Sequence, residues 1–93
     1  MTIQNGPYHE EFARPARRQL RRLPHKIAVA ILEFITGPLA ENPPRLSKPL
    51  RSELASYRTA RRGDYRVLLR IEEDKHTILI TSINHRAHGY RRR

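Results

Sequence analysis

Cysteine is missing from all 93 residues. Neither a disulfide nor a thiolate metal site can stabilise such a chain, and its fold is indifferent to redox compartment. Long apolar runs are missing too. The greasiest stretch, residues 27–35 (IAVAILEFI), is far too short to span a bilayer and carries Glu33. The opening MTIQNGPYHEEF shows no basic region followed by an apolar one, so no secretory signal is expected and a cytoplasmic, soluble chain is. Aromatic residues number only six, too few for a sheet that stacks RNA bases in the manner of an RNA-recognition motif. There is no glycine-rich phosphate loop, GxSxG nucleophile elbow, zinc-finger spacing or usefully spaced carboxylate pair. The scarcest charge is negative: nine acids oppose nineteen bases.

What is present is positive charge. The chain carries a net +10 with a pI near 11.2, and Lys26, Lys48 and Lys75 are its only lysines. Arginine, with its planar fork, suits phosphate better than lysine does. Thirteen of the bases lie in residues 45–93 against five acids, so the excess gathers in the C-terminal half. Such a field attracts RNA, DNA, an anionic membrane or an acidic protein without choosing among them.

A chain of this length holds one domain, 1–93, with one modest core. Residues 7–12 alternate Tyr8, Glu10 and Phe12 against His9 and Glu11, which predicts a short strand. From Ala13 the period becomes helical: Ala13, Ala16, Leu20, Leu23 and Ile27 recur with arginines between them. Pro24 predicts the first position of a second helix with apolar Ile27, Ala30, Ile31, Phe34 and Ile35. Gly37-Pro38 predicts its kink or end, and ENPPRL (41–46) a non-helical segment. Three strands follow, over 55–62, 65–73 and 76–84, with turns at Gly63-Asp64 and Asp74-Lys75. The order predicts an α+β fold, β-α-α-β-β-β, with a mostly antiparallel sheet and a helical hairpin packed on one face.

In YRVLLRI (65–71), Tyr65, Val67, Leu69 and Ile71 face one way while Arg66, Leu68 and Arg70 face the other. The second set points to a face that the helices leave open. Arg58, Arg61, Arg62 and Arg66, from adjacent strands, are expected to converge in one shallow groove, with Lys48 and Arg51 just upstream adding affinity for RNA. Asp64 is the only acid between Glu53 and Glu72, so a phosphate site is the natural use. The terminal NHRAHGYRRR adds Arg86 as a second clamp. Tyr90, His85 and His88 are proton donors or acceptors for metal-free phosphoryl chemistry. No third ligand accompanies the two histidines, so neither metal nor other cofactor is expected. Arg91, Arg92 and Arg93 add unspecific phosphate affinity.

The runs RLSKPL (45–50), YRTARRGDYRVLLRI (57–71) and TILITSINHRAHGY (77–90) together resemble the RelE/ParE toxin superfamily, and most closely its RelE-type members. The resemblance covers nearly the whole chain, including the leading strand and the LRRLPHKI hairpin. It implies the toxin of a bacterial type II toxin–antitoxin module that cleaves mRNA in the ribosomal A site, in contact with ribosomal RNA, and is silenced in a complex with an acidic antitoxin. The implied reaction is attack of a 2′-hydroxyl on the adjacent phosphate to leave a 2′,3′-cyclic phosphate, without metal. Arg66 and Arg86 match family phosphate binders and Tyr90 a family acid or base. Arg58 falls where one of two family lysines lies, and Ala60 replaces the other. Two other readings share these residues: a ParE-like toxin that poisons DNA gyrase, and a non-catalytic RNA-binding protein. A catalyst fails abruptly when Tyr90 or Arg66 is lost, whereas a plain binder weakens in proportion to the arginines removed.

Overall fold

The structure is a computed structural model that describes residues 6–51 and 56–85. A five-stranded sheet takes the order β1-β5-β4-β3-β2, from β1 (His9–Phe12), β2 (Lys48–Pro49), β3 (Arg58–Arg62), β4 (Tyr65–Glu72) and β5 (Thr77–His85). β1 runs parallel to β5, and every other pairing is antiparallel. The α+β prediction therefore holds, with the two-residue β2 as an added edge strand.

Helices α1 (Arg14–Arg22) and α2 (His25–Phe34) form the hairpin. Leu23 is extended because it precedes a proline, so α1 stops there, and Pro24 caps α2 rather than opening it. Pro38 does not end the helical path. Instead α2 widens into a π-helical turn, Ile35–Leu39. A wider turn relieves the clash of the Pro38 ring with the carbonyl four residues back and still buries Ile35 and Leu39. The expectation of a non-helical ENPPRL is corrected by α3 (Pro43–Leu46). Pro43 and Pro44 occupy its first turn, where a backbone N–H has no helical partner to lose, and Arg45 and Leu46 donate to the Asn42 carbonyl at 3.2 and 3.3 Å.

The core lies between helices and sheet. Ala16, Ile31, Ile35 and Leu39 meet Ala60, Val67, Leu69, Ile78, Ile80 and Ile83. Ile80 and Ile83, three apart, could not share one face of a regular strand. A bulge at Thr81 resets the alternation: Leu68 pairs with Ser82 but Leu69 with Ile80, and the Thr81 hydroxyl donates to the Leu68 carbonyl at 3.0 Å. Beyond the end of β1, the Ile83 N–H is satisfied by Gln19 Oε1 at 2.7 Å, which ties α1 to the exposed edge of β5. The β3–β4 turn has positive φ at Gly63 (61°) only, the pattern of a type II′ hairpin.

Candidate anion-binding groove

Strand parity decides which arginines meet. Ala60 opposes Val67, and both are buried under the helices, so the Arg58–Leu69 and Arg62–Tyr65 pairs share that inner face. Arg61–Arg66 and Thr59–Leu68 take the outer face. Lys48 on β2 opposes Thr59 and joins them. Lys48, Thr59, Arg61 and Arg66, with Arg45, Leu46 and Ser47, line a groove of about 480 Å³. Arg45, Lys48 and Arg61 are exposed and Arg66 is half-buried. Like charges directly opposite on neighbouring strands repel. Among the described residues the lining holds no carboxylate, and an anion able to bridge two guanidinium forks would complement the Arg61–Arg66 pair. At the far end of the same face Arg70 lies over the Tyr57 ring, 5.6 Å from its centroid.

The expected convergence of four arginines is corrected to two. Arg58 turns to the inner side and clamps α3: its Nε donates to Ser47 Oγ at 2.6 Å, and its Nη2 to the Ser47 and Pro44 carbonyls at 3.0 and 3.2 Å. Ser47 Oγ in turn donates to the Pro43 carbonyl at 2.7 Å. Arg58 thus positions the rim that carries Arg45 and Lys48. Arg62 also faces the helices, lining a cleft of about 280 Å³ with Lys26, Ile27, Ile31 and Tyr65.

His85 opposes Tyr65, and its ring meets the phenol edge-on at a centroid distance of 5.1 Å. It therefore lies on the inner face, beside Gln19 and Leu23, away from the groove. Arg51 is exposed at the end of a described stretch and does not line the groove. Arg86, His88 and Tyr90 lie outside the described residues. Arg45 and Thr59 are groove residues that sequence reading passed over. The Pro43-Pro44 pair, well suited to a first helical turn, was the available signal for the curl that presents Arg45.

Among the described residues, a perturbed protonation equilibrium lies elsewhere, at Tyr8. Partial burial first, then its 2.8 Å hydrogen bond to Glu73 and that carboxylate's charge, hold the Tyr8 phenol above its ordinary 10.0. The Tyr8 ring stacks on His76 at 3.9 Å, and His76 Nε2 donates to the Gly6 carbonyl at 2.7 Å.

Comparison with known proteins adds three findings. Residues 11–90 match the family model described as ParE toxin of type II toxin–antitoxin system, parDE. Toxin RelE of Mycobacterium tuberculosis is 49% identical over 85 residues, covering 91% of this chain and 88% of that protein. Toxin RelG of the same organism is 48% identical over 86 residues, covering 92% and 99%. A crystal structure of the M. tuberculosis RelBE2 toxin–antitoxin complex superposes with a TM-score of 0.84 at 44% identity, over 92% of this chain and 99% of that one. The isolated Escherichia coli RelE toxin shares the fold alone, with a TM-score of 0.69 at 16% identity over 84% and 83% of the two chains.

Proposed function

The chain belongs to the RelE/ParE family of toxins of type II toxin–antitoxin systems, and from that premise we propose that it cleaves mRNA on the ribosome without a metal ion. The observation that carries this reading is the Arg61–Arg66 pair facing one groove. A phosphodiester seated there presents its non-bridging oxygens to two guanidinium groups, where charge accumulates as a fifth oxygen approaches phosphorus. The 2′-oxygen of the upstream nucleotide forms a bond to phosphorus as the bond to the downstream 5′-oxygen breaks. The 2′-hydroxyl loses its proton to a base and the departing 5′-oxygen gains one. The products are a 2′,3′-cyclic phosphate and a 5′-hydroxyl end.

Preorganised cations suffice for the charge, and the ribosome supplies the alignment of nucleophile and leaving group. In this reading the acid and base come from the sequence that follows β5, which contains Arg86, His88 and Tyr90. The inward-facing ring of His85 leaves that set. Resemblance to a RelBE complex supports a cognate antitoxin as inhibitor, its acidic segments drawn by the net +10.

The test is to incubate the protein with ribosomes holding mRNA and an empty A site, beside naked mRNA, and map the RNA ends. Ribosome-dependent cuts ending in cyclic phosphate, abolished by Tyr90→Phe, are expected. The ParE name of the matched family model favours one rival, interference with DNA gyrase. Uncut mRNA together with blocked supercoiling would establish that rival instead.

A further inference from the structure

Among the aromatic side chains of the described residues, Tyr8, Phe12, Phe34 and Tyr65 pack against the core, and Tyr57 does not. Tyr57 immediately precedes β3. Continuing the Arg58–Leu69 register by one step sets it opposite Arg70. The side chains agree: the Arg70 guanidinium lies over the Tyr57 ring, 5.6 Å from its centroid. Leu69 and Ile78 are buried on the inner side, so Arg70 and its partner on β5, Leu79, face outward. The Tyr57–Arg70 pair therefore stands on the outer face, across the sheet from the helices.

The core takes nothing from this pair. Among the described residues the Arg70 side chain has no carboxylate or hydrogen-bond partner, and the ring is what it covers. Both residues are half-buried, so part of each remains open to solvent. A guanidinium laid on a phenol makes a flat, positively charged surface with an apolar body. Unstacked nucleobases rest on surfaces of that kind.

Its position on the sheet gives it a use. Along the outer face, Arg61 opposes Arg66, then Thr59 opposes Leu68, then Tyr57 opposes Arg70. At ~3.3 Å per strand residue the first and last pairs lie about 13 Å apart. That is more than one nucleotide and within reach of a short extended strand. The face thus passes from a pair of forks suited to phosphate, over Thr59 and Leu68, to a ring suited to a base.

We infer that Tyr57 and Arg70 form a stacking subsite for one nucleobase of a single-stranded RNA whose phosphate lies between Arg61 and Arg66. Naming the ligand as RNA rests on the proposed function. Stacking tolerates every base, so the subsite holds the strand without reading its sequence.

The test measures binding of the full chain to a short labelled oligoadenylate, and to the same ribose-phosphate strand without bases, by fluorescence anisotropy at about 50 mM salt. The wild-type chain should prefer the base-bearing strand by about ten-fold. Tyr57→Ala should remove most of that preference and leave binding of the baseless strand unchanged, whereas Tyr57→Phe, which keeps the ring, should retain it. Tyr57→Leu keeps bulk without a π face and decides the matter if the alanine variant fails to fold. A wild-type chain that binds the two strands equally, or neither, overturns the inference. So does a Tyr57→Ala variant that weakens both strands alike, which would assign the ring to packing. No cleavage enters this measurement, so a chain that cuts no mRNA can still show the preference, and a cutting one can lack it.

Discussion

Arg58 and Arg61 stand three residues apart on β3 and face opposite sides of the sheet. On the inner side Arg58 spends its guanidinium on one serine and two backbone carbonyls, and so becomes part of the frame. On the outer side Arg61 remains exposed beside Arg66, over a groove whose described lining holds no carboxylate. The residue type is the same, and strand parity alone separates a strut from an exposed cation facing the groove. A cluster of arginines in a hairpin sequence should therefore be divided by parity before a role is assigned to any of them.

Mutations can break that contrast. Arg66→Ala should cause the largest loss, about 10²–10³-fold in the rate of ribosome-dependent cleavage, with little change in urea denaturation. Arg58→Ala should show the reverse: a stability loss of about 2 kcal/mol, from charged hydrogen bonds left unmade, read as a lower denaturation midpoint. Exchanging the neighbours, Arg58→Thr with Thr59→Arg, should reproduce that stability loss while tightening binding of a single-stranded oligonucleotide. If the exchange leaves both properties unchanged, the parity assignment is wrong. Gln19→Leu should cost about 1–2 kcal/mol by stranding the Ile83 N–H, without altering the groove.

The smallest effect should come from Tyr8, remote from the groove. Its phenol holds its proton more tightly folded than unfolded. That contribution to stability is complete below pH 10.0 and is lost as pH rises through the raised folded value. Tyr8→Phe should flatten this alkaline decline in urea melts recorded at stepwise higher pH.

Much of this arrangement was legible in the residues. The alternation of Tyr65, Val67 and Leu69 against Arg66 and Arg70 is strict, and burial follows it. The apolar spacing of α1 and α2 likewise located both helices. Three things were not legible, each for a local reason. The bulge at Thr81 looks like ordinary β-branched strand, because the extra residue is itself a good strand former. β2 is two residues long and includes Pro49, so it carries no periodic signal. The prolines of ENPPRL look like breakers in the sequence, although at a helix start they disrupt nothing. Grouping Arg58 and Arg62 with Arg61 and Arg66 fails for a different reason: adjacency of strands brings residues near without fixing the face, and Ala60, buried opposite Val67, fixes the face.

The parallel pairing of β1 with β5 also bears on when the fold closes during synthesis. His9 pairs with Thr77, so the first strand made finds its partner only in the last, and β5 alone joins β1 to the rest of the sheet. Such long-range pairing forms late and slowly. A nascent chain still lacking β5 has its helices and the β3–β4 hairpin but no closed core, because Ile78, Ile80 and Ile83 are absent from it. Closure of the core thus waits on β5: the sheet that carries the groove is complete only once Thr77–His85 has been made and released.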